Sequence, residues 1–115
     1  MDFGFLNERI YVLGQEYAIQ VKKPGEDDGF RNGHMGANGF ISPHEKIIVL
    51  ADKSKPDWTD KEKRFFREHL RKTLRHEIVH AFLAESGLGN NTYAPGGWAK
   101  NEEMVDWFAM QRNTV

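Results

Sequence analysis

The stretch His76-Glu77-Ile78-Val79-His80 decides how the rest of this chain is read. It has the form H-E-x-x-H. In an α-helix, residues four apart lie one above the other on the same face. His76 and His80 can therefore turn two imidazoles toward one ion. Glu77 stands about 100° round the helix, within reach of a ligand of that ion. Two histidines for zinc and one carboxylate as general base are the mechanics attached to this motif.

Outward from the motif, the helix has clear limits. Thr59-x-x-Glu62 fits a capping box, and Gly87 is the expected left-handed stop after Ser86. In the first half, Phe65, Phe66, Leu70 and Leu74 form an apolar flank. Arg64, Arg67, Arg71 and Arg75 form a basic one. Glu68 is interleaved there and no aromatic residue accompanies the arginines, so this flank reads as a solvated face rather than a phosphate-binding surface. In the second half, Ile78, Val79, Ala81, Phe82 and Leu83 surround the axis on nearly every side. A helix apolar all round is buried. His76, Glu77 and His80 are thereby expected in the interior, where uncompensated polar groups are costly. A metal and its supporting hydrogen bonds would compensate them.

Before the helix the pattern is that of strands. Residues 9–13 and 16–22 carry β-branched and aromatic residues at alternate positions, separated by Gly14-Gln15. They predict a β-hairpin with Tyr17, Ile19 and Val21 on one face and Ala18 and Gln20 on the other. Residues 24–38, punctuated by Gly25, Gly29, Gly33 and Gly36, read as a long loop, with His34 an exposed loop histidine. Residues 39–42 and 46–50 predict a second hairpin turned by Pro43-His44-Glu45. The continuous run Ile47-Ile48-Val49-Leu50 predicts a central strand covered on both faces, which leaves Gly39-Phe40-Ile41 nearer an edge. The expected fold is α+β: a small antiparallel sheet of two hairpins packed on the long helix. Beyond Gly87, residues 88–98 read as loop and residues 99–112 as a last helix, with Met104, Val105, Trp107, Phe108 and Ala109 as its apolar surface.

A catalytic zinc takes three protein ligands and keeps one position open. The chain has no cysteine, and no histidine follows His80. Glu85 stands about 140° round the helix from His80 and cannot converge on the same ion. That leaves the acids of the last helix. Glu102 and Asp106 are four apart and share a face, while Glu103 is rotated away. Glu102 is therefore the expected third ligand. Asp106 is expected to accept the remaining ring N–H of a liganding histidine and fix its tautomer.

The bulk composition narrows the rest. With 115 residues, 39% hydrophobic and 29% charged, residues 1–115 are expected to form a single soluble domain. A net charge of −1 provides no global field for nucleic acid or for an anionic membrane. The lack of cysteine excludes a disulfide framework and a thiol nucleophile. It suits a reducing cytoplasm, the expected compartment. Residues 1–10 contain acids and no apolar core, so no secretory signal is expected. No apolar run approaches the ~20 residues of a membrane span.

The pair His76-Glu77-Ile78-Val79-His80 and Asn101-Glu102-x-x-x-Asp106 resembles the gluzincin arrangement, H-E-x-x-H on one helix and N-E-x-x-x-D on a following one. The small size and the hairpins before the long helix resemble the compact minigluzincins and ImmA/IrrE-like peptidases, often encoded by phages and mobile elements. The resemblance covers roughly residues 39–110. It implies a zincin-like fold, Zn2+ held by His76, His80 and Glu102, Glu77 as general base, and Asp106 supporting His76. It also implies that Asn38, Gly39, Phe40 and Ile41 form the edge strand along which a peptide is laid. For the family's histidine or tyrosine that steadies the oxyanion, Tyr93, His34 and His44 are the candidates. The expected function is zinc-dependent endopeptidase cleavage of a protein or peptide substrate, with a partner protein as one source of specificity. The rival expectation is a catalytically weak or inactive zinc-stabilised module that docks a regulatory protein.

Overall fold

The computed structural model of the chain describes residues 1–87. Their architecture is α+β: a four-stranded sheet with one long helix against a face. Strand β1 (Arg9–Val12) and strand β2 (Gln15–Lys22) form the first hairpin. Its turn falls on Leu13-Gly14, one residue earlier than Gly14-Gln15. Both residues have positive φ, 48° and 80°, as the tight turn that matches strand twist requires.

Strand β3 (Gly39–Ser42) and strand β4 (Ile47–Ala51) form the second hairpin. The sheet order is β1-β2-β4-β3, with β4 parallel to β2. The sheet is thus mixed, where an antiparallel one was expected. The reason lies in burial. Ile48, Val49, Leu50 and Ala51 are all at most 2% exposed, and only a central position covers both faces of so apolar a run. Residues 23–46 supply the long crossover that a parallel junction needs. They carry the chain past the central position to the far edge and back.

Residues 24–38, expected as loop, fold in part. A 3-10 turn, Pro24–Glu26, leads into a short helix α1 (Asp28–Asn32). Asp27 caps α1 by accepting from the Phe30 N–H at 3.2 Å. Phe30 then packs with Val49 and Ala51 on the sheet face opposite the long helix. Glycine punctuation and polarity hid this element, whose one apolar anchor is Phe30.

The long helix α2 (Asp60–Glu85) begins at Thr59 with the full capping box and stops before Gly87 at φ 85°. It packs Phe66, Leu70 and Ala81 on Tyr17, Ile48 and Leu50, with Ile19, Val21 and Ile41 alongside. The predicted alternation of Tyr17, Ile19 and Val21 therefore faces the helix. Two expectations for α2 are corrected. Phe65 is 61% exposed and lies under the Lys61 ammonium instead of joining the apolar flank. Phe82 is 46% exposed, so the second half is not buried all round. The basic flank is not free of aromatics either: Arg71 pairs with Glu68 and lies 4.8 Å from the Phe5 ring centre.

The C-terminal end of α2 is tied to the sheet. The Tyr17 hydroxyl donates to Glu85 Oε1 at 2.6 Å, and Lys46 pairs with the same carboxylate. The Lys46 ammonium and the Tyr17 hydroxyl hold the Glu85 carboxyl below its ordinary value of 4.5. A depressed folded pKa contributes stability that is present above the unfolded value and is lost as pH falls through the folded one. The urea midpoint is therefore expected to drop on acidification below about pH 4.5, and Glu85→Gln should flatten that part of the profile. An unchanged acid limb in Glu85→Gln would contradict the tie.

Candidate metal centre

His76 and His80 lie on the same face of α2, with their Nε2 atoms 3.1 Å apart and ring centres 4.8 Å apart. Two nitrogens each about 2.0–2.1 Å from one tetrahedral zinc would stand about 3.3 Å apart. The two imidazoles thus converge on a single point at close to the required spacing. Glu77 is 6% exposed beside them, deep enough for its carboxylate to act in a protected setting.

One glycine sets what the motif faces. A Cβ at Gly39 would lie 2.9 Å from the Val49 carbonyl oxygen and 3.1 Å from Thr73 Cγ2. Glycine there allows α2 to approach the edge strand β3 closely. Thr73 contributes by turning its hydroxyl back to the His69 carbonyl at 3.0 Å, which leaves the methyl for the glycine. Between helix and strand runs a cleft of about 460 Å³, lined by Asn38 and Gly39 on one side and by His69, Lys72, Thr73, His76 and Glu77 on the other. The expected edge strand is thus the wall opposite the motif. No described strand pairs with its outer side. Asn38 O accepts from Ala51 N–H at 2.8 Å. By the alternation of an antiparallel ladder, Gly39 and Ile41 then turn their N–H and C=O toward the open edge.

His34 lines the same cleft and stacks on Phe40, with ring centres 4.4 Å apart and planes 5° apart. It is an exposed loop histidine, as expected, that also has this ring partner. Phe40 itself points to the opposite sheet face, beside Phe30. His44 sits in the turn between β3 and β4 and does not line the cleft. Glu102, Asp106 and Tyr93 lie outside the described residues, as do Glu103 and the whole segment expected to form a last helix. Among the described residues, no group of three His, Cys, Asp or Glu side chains is set to hold a metal. Glu85 is committed to Tyr17 and Lys46, as its angle from His80 required.

His69 and Lys72 were missed in the sequence. Their spacing from Thr73 and His76 nevertheless follows the stripe of one helix face. Burial, with the nearby Lys53 and Lys72 ammonium groups, holds the His69 imidazole below its ordinary range. Among the described residues no helix is long and apolar enough to cross a membrane. Comparison with known family models, with curated proteins and with solved structures finds no match.

Gly39→Ala should force the strand and helix apart. The expected cost is about 1–3 kcal/mol, as for overpacking generally, read as a lower urea midpoint. A neutral or stabilising Gly39→Ala would show that the approach at Thr73 tolerates a methyl group.

Proposed function

We propose that this chain is a zinc-dependent endopeptidase of the gluzincin type. The observation that supports it best is the convergence of His76 and His80 Nε2 atoms at 3.1 Å, beside the buried Glu77 and an open strand edge. Under this reading the last helix expected over residues 99–112 would complete a zincin-like fold. Glu102 then provides the third ligand and Asp106 supports His76. Zinc bound there supplies a Lewis acid that polarises a carbonyl and acidifies water.

The chain's own residues do the rest. Gly39 and Ile41 offer main-chain donors and acceptors, and an extended peptide adds to β3 as a further strand. This holds the scissile carbonyl across the cleft from α2. Glu77 accepts the proton of the attacking water and returns it to the leaving nitrogen, the general-base and general-acid roles of one carboxylate. His34, stacked on Phe40, is the oxyanion candidate that shares the cleft with Glu77. The stack limits the ring's freedom and so lowers the cost of positioning it.

The metal arm of this reading gives a direct expectation. Purified protein should hold about one zinc per chain. His76→Ala, His80→Ala and Glu102→Ala should each strip it, and Glu103→Ala should not, as measured by atomic absorption. Chelation should lower the melting temperature, since a ligand that binds only the folded state stabilises it. Zinc retained in Glu102→Ala but lost in Glu103→Ala would mean that the register of the last helix is misread.

The catalytic arm rests on Glu77→Gln, which keeps size and hydrogen bonding but cannot take a proton. Zinc content and folding should remain near wild type, while peptide cleavage should fall about 10²–10⁴-fold or more. Full activity in Glu77→Gln would eliminate the mechanism. A zinc-loaded wild type that cuts no unfolded protein would favour the regulatory binding module.

A further inference from the structure

Resting on that peptidase reading, we propose that the cleft selects peptides with a carboxylate two residues from the cleaved bond, held by Lys72 with Lys53 beside it.

Lys72 lies on α2 four residues before His76 and lines the same cleft. Lys53, just past β4, sends its Nζ to Asn38 Oδ1 at 3.0 Å and to the Gly36 carbonyl at 3.4 Å. This holds the second ammonium at the start of β3, where Asn38 forms the cleft wall. Lys72 lines the helix wall and Lys53 is bonded to Asn38 of the strand wall, and both bear on His69. Among the described residues no carboxylate pairs with either lysine. Glu77 is the one carboxylate among the described residues lining the cleft. It lies beyond His76, away from Lys72 along the helix. Among the described residues the near end of the cleft is thus positive and has no counterion lining it, although the chain as a whole carries a net charge of −1.

The spacing fixes where a substrate carboxylate would sit. Four helical residues advance about 6 Å. Two residues of an extended strand advance about 6.6 Å. A peptide paired along β3 presents alternate side chains to the helix side of the sheet. When one residue stands opposite His76, its neighbour two positions away stands opposite Lys72. The carboxylate can come from an Asp or Glu side chain or from a free chain terminus, since both offer the same charge to the ammonium.

Two measurements on the zinc-loaded chain of residues 1–115 test this. Labelled peptides of one sequence carry Glu, Gln or Lys in turn at each position, with amidated C-termini. A matched Gln set carries free C-termini. Cleavage by wild type is mapped by mass spectrometry, and binding to Glu77→Gln is followed by fluorescence anisotropy. The expected result is a preference for Glu over Gln of about fivefold at one position two residues from the cut, the upper range of an exposed ion pair. The preference should weaken with salt. Lys72→Gln should abolish it, and Lys72→Glu should turn it toward Lys, with circular dichroism unchanged. Lys53→Gln should reduce it. A gain confined to free C-termini would assign the subsite to a chain end. Equal binding of the Glu and Gln peptides, or no binding of either, would overturn the proposal. So would a preference that survives both Lys72 variants. Selective binding without any cleavage would sustain the carboxylate subsite and reject the peptidase.

Discussion

The contact between Gly39 and Thr73 is the constraint on which the site depends. A side chain at residue 39 would meet the Val49 carbonyl oxygen and the Thr73 methyl. Without a Cβ the helix settles close to the edge strand, and one turn later it presents His76 and Glu77 to that strand. Further on, Glu85 anchors the same helix to Tyr17 and Lys46. The H-E-x-x-H segment therefore lies between two points of attachment to the sheet. Catalytic and metal-binding groups work best on elements held this way, because small displacements of the supporting backbone are expensive in rate and affinity.

Much of this was legible because the signals are local. Thr59 with Glu62, and Gly87, fix the limits of α2 through bonds spanning three or four residues. The placing of His76 one turn below His80 on the same face follows from the helical period alone. Strand β3 was recovered with both its ends. What local pattern does not carry is which strands become neighbours. Each hairpin was visible, yet the parallel junction of β2 and β4 depends on the competition of all strands for the central position. The short helix α1 was missed because, beyond its Asp27 cap, its packing comes from one buried ring, Phe30, against residues about twenty positions away. Phe65 and Phe82 show the opposite failure. Hydrophobic type marked them for the interior, but their angular positions on α2 leave them exposed.

The candidate site divides along the same line. His76, Glu77 and His80 form a contiguous motif, and the helix face shared by its two histidines is written in its spacing. The residues that shape the cleft around them come from four separate segments: His34 near α1, Asn38 and Gly39 at β3, Lys53 after β4, and His69, Lys72 and Thr73 on α2. No sequence window contains them together. A search of α2 for residues on the His76 face would have found His69, Lys72 and Thr73. His34 and Lys53 required the fold.

The sheet order has a chemical consequence that a simple meander would not have. In a continuous antiparallel order β4 would lie at the edge beside α2, and its row of Ile47, Ile48, Val49 and Leu50 would border the cleft. An exposed strand of that composition is a template for aggregation. The parallel junction moves this run to the centre, where both faces are covered. It leaves β3, four residues from Gly39 to Ser42, as the edge on the far side from β1 among the described residues. A short strand with a glycine at the point of closest approach exposes main-chain groups without exposing an apolar ribbon. The burial that stabilises the fold thereby also determines which strand lies at this edge of the described sheet, across the cleft from His76 and Glu77.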